Sequence, residues 1–240
     1  MDELKSQLVT AIRLLTAEGL MDFNGHLSYR LPGTDRVLIN SRRASRAALG
    51  PADIVTMDLD GRLVEGDAEP PSERTIHTRI YAARPDVYSV AHLHPQVSTV
   101  FSIAGRPLVP VFTAGCIFPR EGVPVYDDPG LIHSTQAGDA VAHALGAERA
   151  VLLRGHGAVT VGEDIMTCFN VSIWLEENAK KQLAASSLGN PRVLTEDECT
   201  RLRSQMWKPE VIRKTWDFFT ERGHTTGILE SDLKVQEEGP

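Results

Sequence analysis

The chain has 240 residues, long enough for one large domain with a substantial core, and its 42% hydrophobic and 24% charged residues are ordinary for a soluble globular protein. A net charge of −7 without any basic run argues against nucleic acid or an anionic membrane surface as partner. No stretch approaches the roughly 20 apolar residues of a membrane span. The start, Met1-Asp2-Glu3-Leu4-Lys5, lacks the basic-then-apolar layout of a signal peptide, so a cytoplasmic location is expected. Cys116, Cys168 and Cys199 are odd in number and widely spaced, which reads as buried free thiols rather than a disulfide framework or a CxxC metal site.

Leu4, Leu8, Ile12 and Leu15 recur at helical spacing and predict an amphipathic helix over 2–19. A turn at Asp22–Gly25 then feeds a strand through Arg30, and a Pro-Gly turn leads to a second strand, Val37–Asn40. Ile54–Leu59 and the segment after Asp60-Gly61 resemble a hairpin, so the first third reads as antiparallel. Helices then alternate with strands. Ser72 is placed to cap a helix running through Ala83, with Glu73 in its first turn. A strand ending in His92-Leu93-His94 follows, then a short helix near 96–103, a strand over 107–112, a helix over 135–145 and two strands over 149–161 around His156. A long helix over 163–188 stops at Gly189-Asn190-Pro191, and helical stretches over 195–206 and 208–222 follow. With no repeat and no linker, one α/β domain over 1–225 is the simplest reading; the polar tail over 226–240 reads as loosely held or used in subunit contacts.

Side chains alternate faces along a strand, so His92 and His94 point the same way and Leu93 the other. A third imidazole, His156, sits between Gly155 and Gly157, where the backbone can approach closely. Three neutral imidazoles with an open position suit a catalytic zinc or one of its neighbours. On these residues alone the choice between a metal site and hydrogen-bonded core histidines stays open, and Glu73 in a helix's first turn ordinarily complements the helix dipole. His77, His133 and His143 carry no role beyond structure.

The succession Gly25 to Arg30, Pro71-Ser72-Glu73, Arg84-Pro85-Asp86, His92-Leu93-His94-Pro95 and Leu153-Arg154-Gly155-His156-Gly157 resembles the class II aldolase/adducin family, in order and spacing, from about residue 5 to residue 190. The resemblance implies an α/β/α sandwich around a central, mainly antiparallel sheet, and a homotetramer with metal sites near subunit interfaces. It further implies His92, His94 and His156 as ligands of one divalent metal ion, and Glu73 as the catalytic acid/base beside it. Three histidines suit zinc; manganese or cobalt also fits if the substrate adds two oxygens.

Sugar-phosphate enzymes of this family hold phosphate on an Asn after a Gly, a Thr-Gly turn and a Ser-Ser pair before the catalytic Glu. Here these positions carry His26, Arg42-Arg43 and Pro71-Ser72, so most of that cradle is missing. Arg42 and Arg43, with Arg46 one turn on, read either as a solvated loop or as guanidinium forks for a carboxylate, with His26 as a further donor and Ser72 retained at the site. That pattern resembles the family's decarboxylases of hydroxy-aromatic or ring-cleaved dienoate dicarboxylates. The expected partner is therefore a small carboxylate substrate, with the metal as Lewis acid for the enolate-like charge left when the carbon–carbon bond breaks. The alternatives are a class II aldolase cleaving a hydroxy-oxo acid or a sugar phosphate to pyruvate or a similar fragment, and a non-catalytic adducin-like binding module.

Overall fold

The computed structural model describes residues 1–230. Helix α1 (Asp2–Ala17) forms where the Leu/Ile spacing predicts it, and buries Leu8, Ile12 and Leu15 completely. Strands β1 (His26–Arg30), β2 (Arg36–Asn40), β3 (Ile54–Asp58) and β4 (Leu63–Glu65) then pair in sequence as an antiparallel meander. Helix α2 (Thr75–Ala83), strand β5 (Ser89–Leu93), helix α3 (Gln96–Ile103), strand β6 (Val125–Tyr126) and helix α4 (Thr135–Leu145) follow. Strands β7 (Ala150–Leu153) and β8 (Gly157–Gly162) lead into the long α5 (Ile165–Ser186), then α6 (Glu196–Met206) and α7 (Pro209–Thr225).

Among the described residues all eight strands join one sheet in the order β4-β3-β2-β1-β5-β8-β7-β6, antiparallel throughout except for the β6–β7 pair. Alternation along each strand sends Leu27, Leu38, Ala91, Leu93 and Ala158 into a core with α1, α3, α5 and α7, and Val37, Ile39, Val90, Val151 and Val159 into a second core with α2 and α4. Burial on both faces is why strands such as Ala150–Leu153 read as unbroken apolar runs. The result is the single-domain α/β/α sandwich expected. Among the described residues no helix is long and apolar enough to cross a membrane, and the three cysteines are free and buried.

Four local readings need correction or completion. Residues 107–112 are not a strand: Pro107 and Pro110 lack the N–H a ladder needs, and the segment is held instead by amide side chains one turn apart on α5. Asn178 accepts from Val111 N–H and donates to the Val109 carbonyl, while Gln182 accepts from Val109 N–H and donates to the Pro107 carbonyl. Helix α2 begins at Thr75 rather than at a Ser72 cap; residues 72–74 form a turn, so Glu73 precedes the helix. Strand β6, only two residues long, carries no pattern that sequence reading could detect. At the C-terminal end Leu229 is 3% exposed and packs with Leu14 against Gly223, and Arg13 pairs with Glu230 at 3.3 Å. The rest of the tail, 231–240, lies outside the described residues.

Candidate metal centre

The centre of the sheet brings the histidines together. Strand β5 lies between β1 and β8, with His92 opposite His26 on one side and Val159 on the other. His92 and His94 face the same way, and their Nε2 atoms lie 3.1 Å apart. His156 comes from the tight turn between β7 and β8, where Gly155 adopts φ +66°. Gly157 is required by proximity: a Cβ there would sit 2.1 Å from the Leu93 carbonyl oxygen and 2.9 Å from the His94 ring. The ring centroids of the three histidines are 4.8, 4.9 and 5.4 Å apart.

The far side of two rings is anchored. His92 Nδ1 lies 3.2 Å from the Ala158 carbonyl and His94 Nδ1 2.8 Å from the Asp22 carboxylate, so both donate from Nδ1 and keep the Nε2 lone pair for the site. The buried His156 Nδ1 has no hydrogen-bond partner among the described residues. Burial, helped by the neighbouring His94, His156 and His77, holds His92 well below the usual imidazole range against the pull of the Ala158 carbonyl. Burial also lowers His156, although Glu73 opposes it. Burial works against the charge on Asp22, but the Asn24 backbone N–H and His94 outweigh it and leave its carboxyl below the usual range. Imidazoles whose ring nitrogens converge, one backed by a carboxylate, are the donor set a divalent cation needs.

Glu73 is oriented by a backbone amide, not by the helix dipole. Its Oε1 accepts the Ile132 N–H at 2.8 Å, and its Oε2 lies 3.8 Å from His92 Nε2 and 3.7 Å from His156 Nε2. Only 8% of the residue is exposed. A donor nitrogen of His26, a Glu73 oxygen and a His92 nitrogen all lie within 4.8 Å of one another. Burial, reinforced by His77, His92, Arg46 and His94, keeps His26 neutral.

Arg42 and Arg43 are exposed on the turn that follows β2, the strand paired with β1, and among the described residues neither guanidinium has a hydrogen-bond or ion-pair partner. Arg46 is different: its buried guanidinium is spent on the carbonyls of Gly25, Ser41, Arg42 and Ala44, which ties the His26 strand to the arginine turn. Ser72 is half-buried, and its carbonyl accepts from His133 Nδ1 at 3.3 Å.

Sequence reasoning missed three supporting groups. Asp22 is 72 residues from His94, and no spacing rule connects them. His77 lies behind His26; its place four residues after Glu73 was the available signal. Glu176 on α5 accepts from the N–H groups of Val97 and Ser98 and the Ser98 hydroxyl, fixing the start of α3 directly after His94-Pro95.

Residues 6–183 match the family described as Class II Aldolase and Adducin N-terminal domain. A 3,4-dihydroxyphthalate decarboxylase of Rhodococcus jostii (strain RHA1) is 34% identical over 200 residues, covering 78% of this chain and 82% of that protein. A 5-methylthioribulose-1-phosphate/5-deoxyribulose-1-phosphate aldolase of Rhodospirillum rubrum is 30% identical over 203 residues, covering 83% and 89%. Among solved structures, an L-fuculose 1-phosphate aldolase superposes with a TM-score of 0.79 at 25% identity, over 87% of this chain and 98% of that one.

Proposed function

Because the chain belongs to the class II aldolase/adducin family, we propose that it is a divalent-metal-dependent lyase that decarboxylates an unphosphorylated hydroxy-aromatic or ring-cleaved dienoate dicarboxylate. The feature that carries this reading is what this chain has in place of a phosphate cradle. Where a phosphate cradle is expected, this chain has His26 beside Glu73 and His92, and on the turn after the neighbouring strand Arg42 and Arg43, whose guanidiniums have no partner among the described residues. Guanidinium is the natural fork for a carboxylate. The similarity to the 3,4-dihydroxyphthalate decarboxylase supports the same substrate class.

His92, His94 and His156 would hold the cation, zinc suiting three imidazoles and manganese or cobalt also fitting. Once bound, it supplies Lewis acidity for negative charge developing on substrate oxygens. Arg42 or Arg43 grips a carboxylate and His26 orients the ring or chain, while Ser72 lines the approach to Glu73. When the carbon–carbon bond breaks, carbon dioxide departs and the electron pair remains on carbon. Glu73 Oε2, or a water it orients, then returns a proton to that carbon. The exposed apolar side chains Val100, Ile103 and Leu183 on α3 and α5 are consistent with a homo-oligomer, a tetramer in this proposal.

Trapping released carbon dioxide, against coupling released pyruvate to a dehydrogenase, tests the reaction class directly. The similarity to the Rhodospirillum rubrum aldolase favours a second reading, aldol cleavage, and that assay separates the two. An adducin-like binding module without activity has no use for a carboxylate held by a backbone amide beside three convergent imidazoles.

A further inference from the structure

Behind the histidine cluster, a single file of polar groups runs from β1 into the layer of α2. His26 Nδ1 lies 2.6 Å from His77 Nε2, His77 Nδ1 2.6 Å from Ser28 Oγ, and Ser28 Oγ 2.6 Å from the Tyr81 hydroxyl. The Tyr81 hydroxyl in turn faces the Tyr88 carbonyl oxygen at 3.2 Å. His26 and Tyr81 are 2% exposed, and Ser28 and His77 are fully buried. His77 and Tyr81 are four residues apart on α2, and His26 and Ser28 two apart on β1, so helix and strand periodicity together bring the four side chains into one line.

Each neutral member has one proton to give along this file, so it can be polarised in two ways. In one, Tyr81 donates to Tyr88, Ser28 to Tyr81, His77 Nδ1–H to Ser28 and His26 Nδ1–H to His77. All four contacts are then hydrogen bonds, and His26 Nε2 is bare. In the other, Tyr81 donates to Ser28, Ser28 to His77, and His77 Nε2–H to His26. The contact with Tyr88 is lost and His26 carries its proton on Nε2. A carbonyl oxygen only accepts, so the far end of the file selects the state of the near end. One net hydrogen bond of ordinary strength biases the two states by on the order of fivefold. The file cannot export a proton, because it ends on a backbone carbonyl and its members are buried. It sets a direction.

We propose that Tyr81, Ser28 and His77 form a tautomer lock that presents the unprotonated Nε2 of His26 to the site, so that His26 accepts a hydrogen bond from a substrate hydroxyl rather than donating to a carboxylate. Among the described residues no protein group hydrogen-bonds to His26 Nε2, and with Nδ1 engaged by His77 it is the nitrogen left for a ligand near Glu73 and His92. This reverses the donor role expected of His26 from sequence. Ser28, His77 and Tyr81 are positioning residues, acting through His26. The lock follows from the chain's own geometry; the hydroxyl it selects rests on the decarboxylase reading, in which the substrate carries a hydroxyl beside its carboxylates.

Ring-labelled 15N-histidine spectra of the full-length protein, with and without Zn2+, test the lock without substrate. His26 is assigned by loss of its signals in His26→Gln. In the wild type, His26 is expected to show a protonated Nδ1 and an unprotonated Nε2. Tyr81→Phe, which removes one oxygen remote from the cluster, is expected to lose this bias and protonate Nε2 in half or more of the molecules. Ser28→Ala, which cuts the file elsewhere, is expected to lose it too. A wild-type His26 protonated at Nε2, or a tautomer unchanged in both variants, overturns the lock. With a hydroxylated aromatic dicarboxylate, Tyr81→Phe is expected to raise KM by roughly 1.7-fold or more, because the accepting tautomer falls from about five in six molecules to half or fewer. An unchanged KM despite an altered tautomer overturns the acceptor role. Failure of the wild type to turn over any such acid counts against the decarboxylase reading, while the spectra still decide the lock.

Discussion

Asp22 gives the sharpest handle on the metal centre, because it can be altered without touching a ligand. Its Oδ1 lies 2.8 Å from His94 Nδ1 and also accepts the Asn24 N–H at 2.8 Å. Among the described residues it is the charged acceptor behind these rings: His92 rests on a neutral carbonyl, and the His156 Nδ1 has no partner. Loss of such an outer partner typically weakens metal affinity about 10–100-fold. The Asp22 side chain is 45% exposed, so water replaces part of the bond and Asp22→Ala should fall near the lower end, about tenfold, or about 1.4 kcal/mol. Asp22→Asn keeps an oxygen acceptor and should lose less. Competition with a chromophoric chelator measures both, with His94→Ala as the control that removes a ligand outright. If Asp22→Ala binds Zn2+ within twofold of the wild type while His94→Ala does not, the carboxylate does not orient the His94 ring and the assigned tautomer is wrong.

Other outcomes follow from the same geometry. Glu73→Gln keeps an oxygen for the Ile132 N–H, so metal content and melting temperature should hold while kcat falls by about 10²–10⁴. Replacing both Arg42 and Arg43 by Ala should raise KM for a dicarboxylate at least about tenfold, the scale of one charge-assisted hydrogen bond, and leave the fold intact because both side chains are exposed. Burial lowers His77 from its ordinary 6.5 to about 3. Above pH 6.5 both folded and unfolded chains hold it neutral; between 6.5 and about 3 only the unfolded chain takes the proton, so stability falls as pH falls. From this residue alone, metal-free protein should lose about 1.6 kcal/mol between pH 6.5 and 5, read by urea unfolding, and His77→Gln should flatten the slope. Gly157→Ala drives a Cβ into the Leu93 carbonyl and the His94 ring and should cost about 1–3 kcal/mol of stability, with weakened metal binding, by thermal melts and chelator competition.

How much of this was legible in the chain divides along physical lines. Local periodicity carried the helices and most strands: Leu4 to Leu15 on α1, and the alternation that turns His92 on β5 and His94 just past its end to one side. What failed was structure imposed from outside the segment. Residues 107–112 look like a strand, yet their backbone is satisfied by Asn178 and Gln182 some seventy positions later. Ser72-Glu73 look like a helix start, but the Ile132 amide captures the carboxylate and the helix waits until Thr75. In the site, strand alternation put His92 and His94 on one side, while His156 joined them as one ligand set only through the family resemblance. Their backing could not be anticipated: Asp22 and Glu176 act across long sequence separations. His77 was legible only in retrospect, as a polar residue on the buried face of α2 with His26 opposite.

The central claim is the fate of the carbon–carbon bond, and one measurement addresses it directly. Purified protein loaded in turn with Zn2+, Mn2+ and Co2+ is incubated with a dihydroxylated aromatic dicarboxylate carrying a labelled carboxyl group, beside parallel reactions with a sugar phosphate and a hydroxy-oxo acid. The account predicts metal-dependent release of labelled carbon dioxide with one carboxylate left on the ring, abolished in His92→Ala and in Glu73→Gln. Release of pyruvate or an aldehyde from the parallel substrates with no carbon dioxide from the dicarboxylate, or full turnover by metal-stripped enzyme, would contradict it.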